Sequence, residues 1–361
     1  MNFPELDPGE LLASGFRGPH ATGRPWMVRW DRVGSVDALV ASAMPEELAF
    51  HTSGSTGDRV LWKRTRRQLW DEAGMLADLV REGAPEAVLT FAPPQHVYGA
   101  LVSVLLPARL GLPVWFRPGI REPMPPTGPA HWLVASIPWT FSLMRPGSPW
   151  VGAARELTLV HSTAALPATA RRFMEDFEGS ARLVEVLGST ETGGVAHRRW
   201  SPGADEPPWR LFDDVRFDES MGRGPGERRL ALHGPRVVRP PGSADGAPVL
   251  MDDYVEVLGE RRFRLVGRRD RLVKVNGYRI DLRQAEDELQ TVIDCSDLAL
   301  LPRRDEVIGE HFDLLLVRGE DGAPDREALE RAVARLPVRP RRIRFVPGIE
   351  RSENGKVRAN Q

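Results

Sequence analysis

The sequence predicts an α/β chain: a large N-terminal domain of helix-covered β-sheets and a small, mobile α+β C-terminal domain. Three observations predict it. From Glu47 to about Leu187, apolar segments of strand length alternate with amphipathic segments, the pattern of a sheet covered by helices. After Val195 the texture turns strand- and loop-rich, with Gly/Pro/Asp turns over 201–208, 221–228 and 239–248. From Arg271 a compact strand–turn–strand–helix pattern of about 90 residues begins, the size of a small domain. The division that follows is 1–269 and 270–361.

Taken in order, the first 45 residues are rich in Gly, Pro and Trp with weak periodicity, and are expected to wrap irregularly. The spacing predicts strands over Leu48–Thr52, Ala87–Ala92, Pro113–Phe116, Trp132–Ser136, Leu157–Ser162 and Arg182–Leu187. A helix begins after Thr65, which forms a capping box with Gln68 and leads Leu69, Ala73, Leu76, Ala77 and Val80 along one face. Further helices are expected over Pro138–Met144 and from Pro167 to Phe177. In the second domain, Leu272–Val275 and Tyr278–Leu282 flank Asn276-Gly277, the strongest short hairpin signal. Helix Gln284–Val292, strands Asp297–Leu301 and Asp313–Val317, helix Asp325–Leu336 and strand Arg342–Val346 complete it.

Composition narrows the class of function. The chain has 361 residues, 49 basic against 50 acidic, for a net charge of -1, which gives no electrostatic argument for nucleic acid or an anionic membrane. One cysteine, Cys295, excludes an internal disulfide framework and a cysteine-rich metal site. The acidic start lacks the apolar stretch of a signal peptide, and no apolar run reaches the roughly 20 residues of a spanning helix, so a cytoplasmic protein is expected. Only Lys63, Lys274 and Lys356 are lysines among the 49 basic residues; three could be left by chance in an Arg-rich composition, or each could serve a task that arginine's shape does not suit.

Four stretches could carry chemistry. His51–Gly57, HTSGSTG, follows a predicted strand. Its small hydroxyl and glycine residues let backbone N–H groups curl round an anion, although the Gly-Lys-Ser/Thr ending of a Walker A loop is missing. Gly188–Gly194, GSTETGG, also ends a strand, where ligands gather in open α/β sheets. Its Glu191 could hold Mg²⁺, a hard cation that prefers oxygen, or could simply cap a tight turn. Gly267–Leu282 alone reads as a solvated hairpin, and Asn354–Lys356 alone as a polar tail.

In combination, their order and wording resemble the superfamily of AMP-forming adenylating ligases: acyl- and aryl-CoA synthetases, peptide-synthetase adenylation domains and luciferases. The resemblance covers roughly residues 47–361 and looks closest to shortened acyl-CoA synthetase homologues of secondary-metabolite clusters. It implies that Thr52, Ser53, Gly54, Ser55, Thr56 and Gly57 hold the ATP phosphates. Ser162, Thr163, Ala164, Leu187, Gly188 and Ser189 would line the nucleotide site, with Thr190 on phosphate and Glu191 on Mg²⁺. Asp253, fourteen residues before Gly267-Arg268 as in the family, and Arg268 would contact the ribose. Asp270 matches the hinge, Gly277 the hairpin of the thiol step, and Lys356 the mobile catalytic lysine. His96, His161 and Val195 would face the acid, while the ten tryptophans are expected in the core.

The implied activity is ATP-dependent adenylation of a small, aromatic acid and its transfer to coenzyme A or the phosphopantetheine of an acyl or peptidyl carrier protein. Two alternatives stand beside it: the same adenylation of another oxyacid such as nitrite or with an amine acceptor, and a degenerate nucleotide-binding protein. The chain departs from the family pattern at Arg59, where Pro-Lys usually follows Gly-x, at Leu187, where an aromatic often stacks on adenine, and at Ser162–Ala165, usually Gly-rich. It is also shorter by an N-terminal portion.

Overall fold

The computed structural model describes residues 3–51, 61–119, 122–137, 140–144, 148–162, 166–201, 205–222, 226–238, 246–268, 271–275, 278–305, 309–319 and 324–350. The chain separates into two compact units, Met1–Arg216 with Leu232–Val249, and Phe217–Ala231 with Leu250–Gln361.

The first unit is built on strands β1 (Trp26–Arg29), β2 (Glu47–His51), β3 (Leu61–Thr65), β4 (Ala87–Thr90), β5 (Pro113–Phe116), β6 (His131–Ser136), β7 (Glu156–His161), β8 (Ala181–Ser189), β9 (Gly193–Trp200) and β10 (Trp209–Leu211). Eight of them form a sheet in the order β1-β5-β4-β6-β7-β8-β9-β10, and β2 and β3 form a separate antiparallel pair. The central five, β5-β4-β6-β7-β8, are parallel. Strands of a parallel sheet are covered on both faces, which is why they read as continuous apolar runs. Every residue of β4 and β6 is buried. On one face Phe91, Trp132, Val134, Trp150, Leu159, Phe173 and Leu183 form a core, with the ring of Trp132 4.9 Å from Trp150 and 5.4 Å from Trp115. Trp132 and Trp150 are buried there, and Trp26, Trp30 and Trp209 elsewhere, as expected; Trp62, Trp70, Trp115 and Trp200 are half-buried, and Trp139 lies outside the described residues.

The six predicted strands stand within about two residues of their expected bounds. Thr65 caps the helix Arg66–Val80 by the full capping box with Gln68, and Leu69, Ala73, Leu76, Ala77 and Val80 are its buried face. Two expectations need correction. The first 45 residues are not irregular: they form helices Pro8–Ala13, Pro19–Thr22 and Val36–Ala43 and the edge strand β1, paired antiparallel with β5. These elements are four to eight residues long, too short for periodicity to register, although Asp7 and Ser35 cap two of them through the side-chain bonds their types favour. Strand β3 was not anticipated, because the charged Lys63 and Arg64 lie within it; Arg64 is fully buried.

The second unit contains β11 (Arg216–Phe217), β12 (Glu227–His233), β13 (Val249–Val257) and β14 (Arg262–Arg268), hydrogen-bonded in the order β14-β13-β12-β11. Strands β15 (Leu272–Val275) and β16 (Tyr278–Asp281) pair antiparallel around 276–277, which lie outside the described residues. Asp281 then caps helix Leu282–Gln290 through the N–H groups of Arg283 and Gln284. Strands β17 (Asp297–Asp305), β18 (Gly309–Val317) and β19 (Ile343–Phe345) form a three-stranded sheet, with helix Arg326–Val333 between β18 and the parallel β19. Leu282, Leu289, Leu298, Leu300, Phe312, Leu314, Leu316 and Leu329 close its core. The boundary expected at Asp270 falls on a residue outside the described set. Among the described residues, no helix is long and apolar enough to cross a membrane.

Candidate active site

The site grows from the carboxyl ends of the five parallel strands, where the chain leaves the sheet and backbone groups are no longer committed to the ladder. Behind β4 the chain turns through Pro93 and Pro94 into a helical run whose first N-terminal residue is His96; its main chain bonds Pro93 on one side and Ala100 on the other. A side chain at Gly99 would stand 1.9 Å from the Pro93 carbonyl oxygen, so the run is held against the strand end by a glycine. It continues as a π-helical stretch, Ala100–Leu105, before Leu106–Leu110. Tyr98 anchors this segment by donating to the carbonyls of Ser136 and Val160 at 3.1 and 2.8 Å. Burial pushes its phenol far above the ordinary range, so it stays a neutral donor.

His161 ends β7, fully buried, with Nδ1 3.3 Å from the Ser136 hydroxyl and its ring 5.5 Å from Phe141. Ser162 follows it, half-buried, and Thr163, Ala164 and Ala165 lie outside the described residues.

The turn between β8 and β9 is the most constructed part of the site. Leu187 pairs with Ala196, Gly188 with Gly194 and Ser189 with Gly193, with a bulge between Leu187 and Gly188. Leu187 is 9% exposed and Val195 is buried. Inside the turn, Ser189 and Thr192 are locked by reciprocal bonds: the Ser189 N–H donates to the Thr192 hydroxyl at 3.1 Å, and the Thr192 N–H to the Ser189 hydroxyl at 3.2 Å. Thr190 and Glu191 are thereby left at the tip, both half-buried, with the Glu191 carbonyl accepting from the Val238 N–H at 2.8 Å.

Beneath the turn lies a buried ionic chain. Arg64 Nη2 donates to Glu72 Oε2 at 2.9 Å, and Arg236 Nη1 stands 3.2 Å from the same oxygen. Arg236 also grips Asp214 with Nε and Nη2 at 2.6 and 2.9 Å. Burial lowers the Arg64 pKa, opposed by the charges of Glu72 and Glu191; for Arg236 burial is outweighed by its bonds to Asp214 and Glu72, and its pKa rises. These residues were not singled out in the sequence, where they look like surface charge. The only hint was the Gly-Gly ending of GSTETGG.

In the second unit, Asp253 on β13 and Arg268 on β14 are register partners, and Asp253 is 2% exposed. The fourteen-residue separation from Asp253 to Gly267 is thus the length of chain that brings one antiparallel strand back beside the other.

Among the described residues no three His, Cys, Asp or Glu side chains gather as a metal cage. Glu191 alone, half-buried at the tip of a turn beside Ser189, Thr190 and Thr192, fits Mg²⁺, which keeps waters and commonly takes one carboxylate plus substrate phosphates. Thr52, Ser53, Gly54, Ser55, Thr56, Gly57, Arg59, Asp270, Gly277 and Lys356 lie outside the described residues.

No protein-family model matches the chain. It is 30% identical over 258 residues to a 4-coumarate–CoA ligase of Halorhodospira halophila, an alignment covering 69% of this chain and 58% of that protein. The chain therefore spans less than two thirds of that relative's length. A 4-coumarate–CoA ligase of Rhodobacter capsulatus is 28% identical over 339 residues, 89% of this chain and 77% of that protein. Among solved structures, ATP-bound MatB from Rhodopseudomonas palustris matches with a TM-score of 0.67 at 19% identity, over 93% of this chain and 73% of MatB. At that identity the likeness is one of fold.

Proposed function

The chain belongs to the AMP-forming acyl-CoA synthetase superfamily, and from that premise we propose that it is an ATP-dependent ligase that adenylates a small aromatic carboxylic acid and passes it to a thiol. The observation that carries the reading is topology: His96, His161, Ser162 and the Leu187–Glu191 turn lie at or beyond the carboxyl ends of β4, β7 and β8, and because these strands run parallel those ends share one side of the sheet. That edge is where an open α/β sheet binds ligands.

In this reading the acid lies against His96, His161 and Val195, and the nucleotide against Ser162, Leu187, Gly188 and Ser189. Asp253 and Arg268 take the ribose hydroxyls, and the 52–57 loop takes the phosphates. Attack of the acid's carboxylate on the α-phosphorus forms the acyl–phosphate bond and releases pyrophosphate. Two anions must approach, so the site needs positive charge where negative charge develops. Bound Mg²⁺ supplies part of that charge. Glu191 would hold it, and the Thr190 hydroxyl would donate to a phosphate oxygen. Lys356 supplies a compact ammonium able to touch two oxygens of different groups, for which a planar guanidinium is less suited. In the second step the thiol of coenzyme A or of a carrier-bound phosphopantetheine attacks the acyl carbon and AMP leaves. The 270–361 segment, turning at Asp270, would bring Gly277 to that step. The 4-coumarate named for the relatives supports an aromatic acid; the buried Phe141 ring beside His161 supplies an apolar neighbour at the same edge.

The test is pyrophosphate release with MgATP across benzoic, cinnamic and short aliphatic acids and nitrite, with mass spectrometry of the products. Release with the aromatic acids, falling by about 10²-fold or more in Lys356→Ala while ATP affinity is kept, is the expected result. Undiminished release in that variant would remove Lys356 from the mechanism. Silence with every acid, with no ATP binding, would refute the enzyme reading.

A further inference from the structure

The Gly-Gly that ends GSTETGG has no role in the nucleotide reading, and the structure gives it one. Gly193 has φ +65°, and a Cβ there would stand 2.3 Å from Glu72 Oε2 and 2.7 Å from Arg64 Nη2. Gly194 donates its N–H to Glu72 Oε1 at 2.6 Å, and its carbonyl accepts from Arg236 Nη2 at 2.9 Å. One residue pair thus admits a buried carboxylate and a buried guanidinium directly to the backbone of the turn. On the other side, Arg64 Nη1 reaches the Thr190 carbonyl at 3.5 Å. The charges come from three separate places in the chain: Arg64 from β3, Glu72 from the helix that follows it, and Arg236 from the segment whose Val238 N–H holds the Glu191 carbonyl. All three are at most 2% exposed.

A buried ion chain is a poor source of stability compared with an apolar core of the same volume, because desolvation opposes the attraction. Its benefit is geometric, since hydrogen bonds fix directions that apolar contacts leave free. Here those directions converge on the main chain on either side of Glu191. We propose that Arg64, Glu72 and Arg236 are positioning residues that hold the Thr190–Glu191 turn in the orientation needed to meet a magnesium–nucleotide complex. The inference rests on the nucleotide-binding reading above.

A control for mere stability exists on the same two strands. Glu185 and Arg198 face each other across β8 and β9, both buried, with Arg198 Nε 2.7 Å from Glu185, away from the turn. Glu72→Gln and Glu185→Gln each keep shape and remove one buried charge. Both should lower the melting temperature. By calorimetry with MgATP, Glu72→Gln should bind at least tenfold more weakly than wild type, and Glu185→Gln within about twofold of it. Hydrogen exchange of residues 188–194 should rise in the first variant alone. Should Glu72→Gln not fold, Arg236→Lys carries the same expectation, since an ammonium cannot serve Glu72, Asp214 and the Gly194 carbonyl together. Binding within twofold of wild type in the turn-side variant, or equal weakening in both, would overturn the positioning role while leaving the nucleotide reading intact. A wild-type protein that binds no MgATP would overturn both.

Discussion

Gly188→Ala isolates one physical demand of the site. Gly188 lies outside the left-handed region that glycine alone favours, so alanine can adopt its backbone dihedrals. Contact decides the outcome. A Cβ built there lies 2.2 Å from the Gly193 carbonyl oxygen, 2.8 Å from the Gly193 carbonyl carbon and 2.9 Å from the Gly194 Cα, all backbone atoms of the facing strand. No rotamer relieves such a contact, so β8 and β9 must part by about 1 Å at this register. Overpacking of this kind costs about 1–3 kcal/mol, and weakening one neighbouring ladder bond adds about 1 kcal/mol. The variant should therefore lose about 2–4 kcal/mol and, because the displaced atoms frame Thr190 and Glu191, should also weaken MgATP binding. Gly152→Ala is the matched control: nothing lies within 4 Å of its Cβ, inside helix Pro149–Ala153, and the change should be neutral or stabilising by up to about 1 kcal/mol. Urea unfolding followed by tryptophan fluorescence reads both. A Gly188→Ala midpoint equal to wild type would refute the reasoning, since it would mean the strand pair tolerates the methyl without opening.

Two further outcomes are expected. Burial and the neighbouring Arg199 and Arg210 depress His197 to about 4, so between roughly pH 6.5 and 4 the unfolded chain binds the proton and the folded one does not. Stability should fall as pH drops through that window and be retained above it; His197→Gln should flatten the fall in urea-unfolding measurements, and superimposable profiles would count against it. Asp253→Asn should weaken ATP binding by about 10-fold or more through loss of a charge-assisted hydrogen bond, and an unchanged affinity by calorimetry would remove Asp253 from the ribose contact.

How much of this was legible depends on where each signal resides. The strands β4 to β8 were readable because parallel strands must be apolar on both faces, and a run such as His131–Ser136 shows this without reference to any partner. The Thr65–Gln68 capping box was equally local, formed between side chains and backbone within three residues; the caps at Asp281, which lies within a predicted strand, and at Asp325 emerge only in the structure. The short N-terminal elements escaped because their order comes from what they bury against: Trp26 of β1 and Phe116 of β5 are register partners whose rings lie 5.1 Å apart.

The alternation of the sheet, the helix starts and the order of the chemical motifs can be read in one dimension, since each depends on residues a few positions apart. That Arg64, Glu72, Asp214 and Arg236 come together near the Glu191 turn follows from the fold and from nothing local. Each taken singly is a charge, which a one-dimensional reading assigns to solvent. Together they become stable inside, because every guanidinium there finds a carboxylate and a backbone carbonyl, and the two glycines leave room for them. That compensation depends on distances across the fold, on segments more than 120 residues apart in the chain.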